Sequence, residues 1–215
     1  MIDVETLVVS LFESNCFIVY NGDLPDVLVI DPGDNASDII SHLKSKQLVP
    51  AAYLITHGHV DHVTGLAEMV ASMPAPVAMH PKDAAWAFTD RAAFPPYYDK
   101  PTAPPKIERT LAENQEWTDI GLAYRVIETP GHSPGGVAFY FPDEKVLFSG
   151  DNLFRGSIGR SDLPGANPEL LAESLQKLLK LPDDTRVFCG HGPDTTIGQE
   201  KRTNPYLKSF DWAGR

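Results

Sequence analysis

The sequence is poor in what stapled, exported or membrane-bound proteins need. It has two cysteines, Cys16 and Cys189, too few for a secreted disulfide framework. Both lie inside apolar runs, Cys16-Phe17-Ile18-Val19-Tyr20 and Val187-Phe188-Cys189, which predicts two buried free thiols. No Lys or Arg precedes Lys44, so the basic segment of a secretory or transit peptide is missing. No apolar run approaches the roughly 18 residues of a spanning helix. Together these absences predict a cytoplasmic protein of bacterial style. Positive charge is scarce as well: 18 Lys and Arg face 29 Asp and Glu, a formal net charge of -11. Wrapping nucleic acid or lying on anionic lipid needs a basic face, so neither partner is expected. A local cationic pocket could still receive an anionic small molecule. Nothing in the sequence signals an oligomeric state.

What is present is ordinary globular material. Of 215 residues, 42% are apolar and 22% charged, which fits a single domain over 1–215. A chain of this size buries roughly 70% of its unfolded surface. It needs no metal to fold, so a metal site here would be functional. Short β-branched runs at 16–20 and 27–31 read as strands split by Asn21-Gly22-Asp23. Residues 36–47 read as a helix, with Asn35 or Ser37 as its N-cap. A strand at 51–56, a helix at 63–72 and a strand at 76–79 continue the βαβ alternation. The stretch 90–106 carries Pro95, Pro96, Pro101, Pro104 and Pro105 around Tyr97 and Tyr98. It cannot be regular helix or central strand, and a long irregular loop is a candidate flap. Strands follow at 122–128, 136–141, 145–149 and 186–189. The helix 167–181 puts Leu170, Leu171, Leu175, Leu178 and Leu179 on its predicted core stripe.

Five of the seven histidines sit at the ends of strand-like runs. The densest group is Thr56-His57-Gly58-His59-Val60-Asp61-His62. In extended backbone alternate residues point the same way, so His57, His59 and Asp61 can face one cavity, while His62 reaches from the start of the next helix. His132, Asp151 and His191 each follow another strand in a tight turn: Pro130-Gly131-His132, Ser149-Gly150-Asp151 and Gly190-His191-Gly192. Glycine there lets backbone approach a bound ion. His42 on a helix and His80 before Pro81 lie outside this pattern and read as ordinary. The candidate ligand set is five imidazoles and two carboxylates. That mix suits Zn²⁺, Fe or Mn²⁺. Seven ligands exceed the needs of one tetrahedral ion, whereas two ions sharing a carboxylate would use them all and lower the pKa of a shared water.

Thr56-His57-Gly58-His59-Val60-Asp61-His62 resembles the HxHxDH signature of the metallo-β-lactamase fold. Gly131-His132-Ser133-Pro134-Gly135-Gly136, Ser149-Gly150-Asp151-Asn152 and Gly190-His191-Gly192-Pro193 resemble its remaining motifs in order. The stretch Gly150 to Gly165, and Gly190 to Thr196 with Glu200 and Asn204-Pro205, is similar to short bacterial hydroxyacylglutathione hydrolase-like (glyoxalase II-like) proteins. The resemblance implies an α/β fold, an αββα sandwich of two mixed sheets flanked by helices. It implies His57, His59 and His132 on one metal, Asp61, His62 and His191 on a second, and Asp151 bridging, with Asp61 and Asp151 as the catalytic carboxylates. It implies two divalent ions, zinc foremost, with iron or manganese as alternatives. Full-length glyoxalase II enzymes carry a helical extension with cationic residues for glutathione. This sequence ends soon after His191, which predicts that the extension is absent. Arg160 falls where the family places a basic substrate contact and is a candidate carboxylate-binding residue.

The predicted reaction is hydrolysis of a small-molecule thioester such as S-lactoylglutathione, by a hydroxide held at the dinuclear centre. A thiol's pKa near 8.5 lets the thiolate leave without prior protonation. A lactam amine needs a general acid, and the sequence offers no dedicated one. Two alternatives use the same residues: a mononuclear iron persulfide dioxygenase on His57, His132 and Asp151, and a lactone hydrolase.

Overall fold

A strand with apolar residues on both faces must be covered on both faces, and most strands here are of that kind. The computed structural model describes residues 2–209. Met1 and residues 210–215, the ends of the predicted 1–215 unit, lie outside the described residues. The first half runs β1 (Ile2–Val9), β2 (Ser14–Asn21), β3 (Asp26–Ile30), α1 (Ala36–Ser45), β4 (Val49–Leu54), α2 (Val60–Val63), α3 (Leu66–Ser72), β5 (Val77–Met79), α4 (Pro81–Ala84) and β6 (Arg109–Thr110), with a 3-10 turn at Asp90–Ala92 before β6. The second half runs β7 (Glu116–Asp119), β8 (Leu122–Glu128), β9 (Val137–Phe141), β10 (Val146–Gly150), β11 (Leu153–Phe154), β12 (Ser157–Ile158), α5 (Pro168–Leu178), β13 (Arg186–Cys189), β14 (Thr195–Thr196), α6 (Ile197–Thr203) and α7 (Pro205–Ser209).

Two six-stranded mixed sheets result, in the orders β1-β2-β3-β4-β5-β6 and β14-β13-β10-β9-β8-β7. Side-chain alternation assigns each strand's faces. Phe17, Val19, Leu28 and Ile30 point between the sheets, against Val137, Phe139, Phe141 and Phe148. Cys16, Ile18, Val27 and Val29 point outward beneath Ile39, Leu43, Leu66 and Met69 of α1 and α3. On the opposite outer face Ala138, Tyr140 and Leu147 are covered by Leu171, Leu175 and Leu178 of α5. The layers are helix, sheet, sheet, helix, which is the metallo-β-lactamase fold. Both cysteines are buried and free.

Three expectations need correction. The helix predicted at 63–72 starts at Leu66, and Val63 instead ends the one-turn α2; between them the Gly65 N–H turns to the Gly33 carbonyl at 2.5 Å rather than joining a helical ladder. Leu170 is 39% exposed; it stands one residue from Leu171, about 100° around the helix, and that step carries it off the core stripe. Asn35 does occupy the N-cap position of α1 but makes no side-chain cap bond. Its side-chain oxygen instead accepts the Ser10 N–H at 2.7 Å. At α5, by contrast, Asn167 caps through its side chain, accepting the Leu170 N–H at 2.9 Å. Strand β1, with Asp3 and Glu5 inside it, and the short elements β6, β7, β11, β12, β14, α4, α6 and α7 were not expected. Strand edges need one apolar face only, and elements of a few residues leave no period to read.

Candidate metal centre

The chain leaves β4, β8, β10 and β13 at one edge of the sandwich, and each exit carries site residues. His57 and His59 follow β4, Asp61 and His62 lie in α2, His132 follows β8, Asp151 follows β10 and His191 follows β13. The structure brings all seven together. Ligand atoms of His57, His59 and His132 lie within 4.8 Å of one another, as do those of Asp61, His62 and His191. Asp151 stands between the groups: Oδ1 is 3.5 Å from His62 Nε2, and Oδ2 is 3.4 Å from His132 Nε2 and 3.5 Å from His191 Nε2. Asp61 Oδ2 is 3.2 Å from His191 Nε2 and 3.5 Å from His62 Nε2.

The outer nitrogens of four rings are tied down, which fixes what the inner ones present. His62 Nδ1 meets Asp31 Oδ2 at 3.0 Å, and His132 Nδ1 donates to the Arg160 carbonyl at 2.9 Å. His191 Nδ1 donates to the Phe12 carbonyl at 3.0 Å. His57 Nδ1 meets Thr56 Oγ1 at 3.0 Å, and that hydroxyl donates to Asp31 Oδ2 at 2.5 Å. In the neutral ring each then aims an Nε2 lone pair inward, the arrangement that orients histidine ligands. His59 is turned the other way, with Nδ1 2.8 Å from His132 Nε2. Two buried atoms in this cluster, His57 Nε2 and Asp151 Oδ1, have no hydrogen-bond partner. Buried polar atoms without partners are costly, and convergent imidazole and carboxylate groups suit divalent cations.

The electrostatics follow the same division. Burial, then the neighbouring His62, pushes His57 well below its usual value; burial and His132 bring His59 to about 3. Burial acts the same way on His62 and His191, but carboxylates overrule it. Asp61 and Asp151 hold His62 up to about 9, and hydrogen bonds to Asp151 and Asp61 hold His191 up to about 11. Conversely, burial disfavours the carboxylate of Asp151, yet His62 and His191 keep it well below the usual range. Asp61 is lowered against burial by His62 and His191. The carboxylates therefore stay ionised and draw positive charge to the ring nitrogens, which is the role a cation fills.

Above the cluster opens a cleft of about 520 Å³. Its apolar walls include Phe12, Trp86, Phe94, Phe154, Ile158 and Leu163. Residues 91–94 of the Pro-rich stretch form part of one wall, so that segment faces the site. Arg160 also lines the cleft, but its guanidinium is paired with Asp162 at 2.9 and 3.0 Å.

Two contributors were not expected. Asp31, fully buried, accepts from the Thr56 N–H at 2.8 Å as well as from Thr56 Oγ1 and His62. It ends a strand as His57 and Asp151 do, so the same placement rule would have found it. Asp83, also fully buried, accepts from Gly58 N–H, Ser133 Oγ, Gly135 N–H and Trp86 Nε1 at 2.9, 2.6, 2.6 and 3.2 Å. It ties the His57–His59 loop to the His132 loop. No local pattern marks it, since it lies in a one-turn helix. His80 does follow a strand, β5, contrary to the reading above. It N-caps α4 and meets Glu128 Oε1 at 3.2 Å without joining the cluster. His42 pairs with Glu5 at 3.1 Å.

The metallo-β-lactamase superfamily model matches residues 9–191. The chain is 36% identical over 204 residues to the probable metallo-hydrolase YqgX of Bacillus subtilis, covering 94% of this chain and 96% of that one. It is 34% identical to the hydroxyacylglutathione hydrolase GloC of Haemophilus influenzae, covering 96% and 99%. Among solved structures, BLEG-1, a B3 metallo-β-lactamase, superposes with a TM-score of 0.88 at 39% identity over 96% of this chain and 99% of its own. TTHA1623 in a di-iron-bound form gives 0.86 at 42% identity over 95% and 100%. No helix among the described residues is long and apolar enough to cross a membrane. On its motifs, its layers and its relatives, this chain belongs to the metallo-β-lactamase superfamily.

Proposed function

We propose that the protein is a metal-dependent hydrolase of small thioesters, S-lactoylglutathione being the first to test. The observation that carries this is the convergence of five imidazoles and two carboxylates beneath an apolar cleft. His57, His59 and His132 would hold one cation, Asp61, His62 and His191 a second, with Asp151 between them. Such cations, when bound, supply Lewis-acid polarisation and a lowered pKa for water. The rest is the chain's work. Asp31, Thr56 and the carbonyls of Arg160 and Phe12 hold the rings in the tautomer that presents a lone pair. Asp61 and Asp151, kept ionised by neighbouring histidines, are the carboxylates that would orient the attacking water. Phe12, Trp86, Phe94 and Phe154 exclude bulk water and seat the acyl group. GloC, a hydroxyacylglutathione hydrolase, supports the thioester reading.

The likeness to BLEG-1 favours a second reading, cleavage of a lactam. A departing amine needs a proton. The titratable side chains lining the cleft are the cluster's own histidines and aspartates and two arginines, and the cluster carboxylates are held ionised. No separate acid serves that step, whereas a thiolate leaves without one.

The deciding experiment pairs elemental analysis of the purified protein with assays on S-lactoylglutathione, a penicillin, a lactone and, for oxygen uptake, glutathione persulfide. Two divalent ions per chain with preferential thioester turnover is the expected result. One iron per chain with oxygen consumption would replace it with the dioxygenase.

A further inference from the structure

We propose that Arg91, one of the residues lining the cleft, is the residue that binds an anionic group carried by the substrate. The proposal rests on the hydrolase reading above and adds to it the charge of the substrate and the residue that selects for it. Two cationic side chains line the cleft, Arg91 and Arg160. Arg160 is engaged in the two-pronged pair with Asp162, so its charge is already answered. Arg91 has no carboxylate in ion-pair reach among the described residues. The acid beside it, Asp90, is taken by Lys100 at 3.1 Å. A free guanidinium at the mouth of an apolar cleft, in a protein of net charge -11, is a local attractor within a field that otherwise repels anions. Its planar fork matches a carboxylate or a phosphate.

The support beneath Arg91 is firm. Its N–H is accepted by Thr89 Oγ1 at 3.4 Å, the following Ala92 is buried, and the Ala92 N–H reaches the Thr89 carbonyl at 3.0 Å. On one side the segment is fastened through Trp86 to Asp83. On the other, Phe94 packs edge-on against Phe12 with centroids 5.6 Å apart. The guanidinium thus projects from an anchored turn, and the same wall offers aromatic surface for the acyl portion and one charge for the carrier. The anionic group is a carboxylate of a peptide-like thiol or a phosphate of a nucleotide-based thiol, and the experiment separates them.

The test uses the full-length metal-loaded protein and compares Arg91→Ala, Arg91→Glu, Arg91→Lys and Arg160→Ala. Substrates are S-lactoylglutathione, lactoyl-CoA and the uncharged ethanethiol ester of lactate. Arg91→Ala is expected to raise KM for the preferred anionic ester about 10-fold, the scale of a lost hydrogen bond to a charged group. The effect on kcat is expected to be smaller, as is the effect on the neutral ester. Arg91→Glu is expected to go further and Arg91→Lys to recover part of the loss. Salt should raise the wild-type KM more than that of Arg91→Ala. Equal losses on charged and neutral esters, or a larger KM effect from Arg160→Ala, would overturn the proposal. Calorimetric titration with S-methylglutathione and S-methyl-CoA, neither of which can be hydrolysed, reads the same contact without turnover. Binding of one of them, weakened about 10-fold in Arg91→Ala, supports the anion contact even if no thioester is cleaved, in which case only the hydrolase reading falls. Failure of both to bind the wild type sinks the anion contact itself.

Discussion

The two sheets furnish the site by different routes. The first delivers four candidate ligands between residues 57 and 62, and one buried carboxylate, Asp31, organises them by gripping Thr56 and His62. The second delivers one ligand from each of three strand ends, held by backbone: the Arg160 carbonyl for His132, the Phe12 carbonyl for His191, and glycine-lined contact for Asp151. A Cβ on Gly190 would fall on Asp151 Oδ1, and one on Gly159 on the Asp151 carbonyl. The first half is therefore set by side-chain hydrogen bonds within a short stretch, the second by how closely distant backbones approach. Each should fail in its own way.

The largest effect expected is at the residue both halves share. Asp151→Ala should remove most bound metal and nearly all thioester hydrolysis, read by elemental analysis beside the assay; near wild-type turnover would remove Asp151 from the centre. Next is a test of the second half alone. Gly190→Ala adds one methyl where there is no space, which should destabilise by about 1–3 kcal/mol by overpacking and displace Asp151. Denaturant unfolding and metal content should fall together, and a stable variant with full metal would show that backbone proximity is not what holds Asp151. The first half is tested by Asp31→Asn, which keeps the shape but gives up the charge that fixes His62. About 10- to 100-fold weaker metal binding is expected, measured by competition with a chelator, beside a stability loss of about 1–3 kcal/mol from the buried donor left facing the new amide N–H. A loss confined to stability would reassign Asp31 to the frame.

The smallest effect calibrates the others from outside the cleft. Against burial, Glu5 is held down to about 2 by Lys46, Tyr20 and His42. A carboxylate lowered from 4.5 adds stability that is complete above that value and lost as pH falls toward about 2. The gap in unfolding midpoint between wild type and Glu5→Gln should be full at pH 6 and shrink steadily into acid. A gap independent of pH would mean that Glu5 acts by packing.

The same contrast explains how much of the fold and site is legible in the sequence. Strands with both faces buried announce themselves as apolar runs, so most of β2, β3, β4, β8, β9, β10 and β13 was legible. The edge strand β1 was not, because charged residues alternate into it. His57 to His62 form a cluster no packing argument explains, while His132, Asp151 and His191 were visible through a repeated strand-then-glycine placement. Asp83 stayed hidden, since a buried acceptor for four donors is defined by where loops meet and not by any spacing. Arg160 was picked out by its motif. Its partner, Asp162, two residues away, was in plain sight, but pairing depends on the turn between them.

Phe12 does two jobs at once. Its carbonyl steadies His191, and its ring packs against Phe94, Tyr97 and Tyr98 at 5.6, 5.7 and 5.3 Å. Any lineage or engineer that exchanges the Pro-rich wall to admit a new substrate therefore also loosens the backstop of the His191 imidazole. Selectivity in this molecule cannot drift freely of reactivity, and successful loop swaps should arrive with a compensating change at position 12.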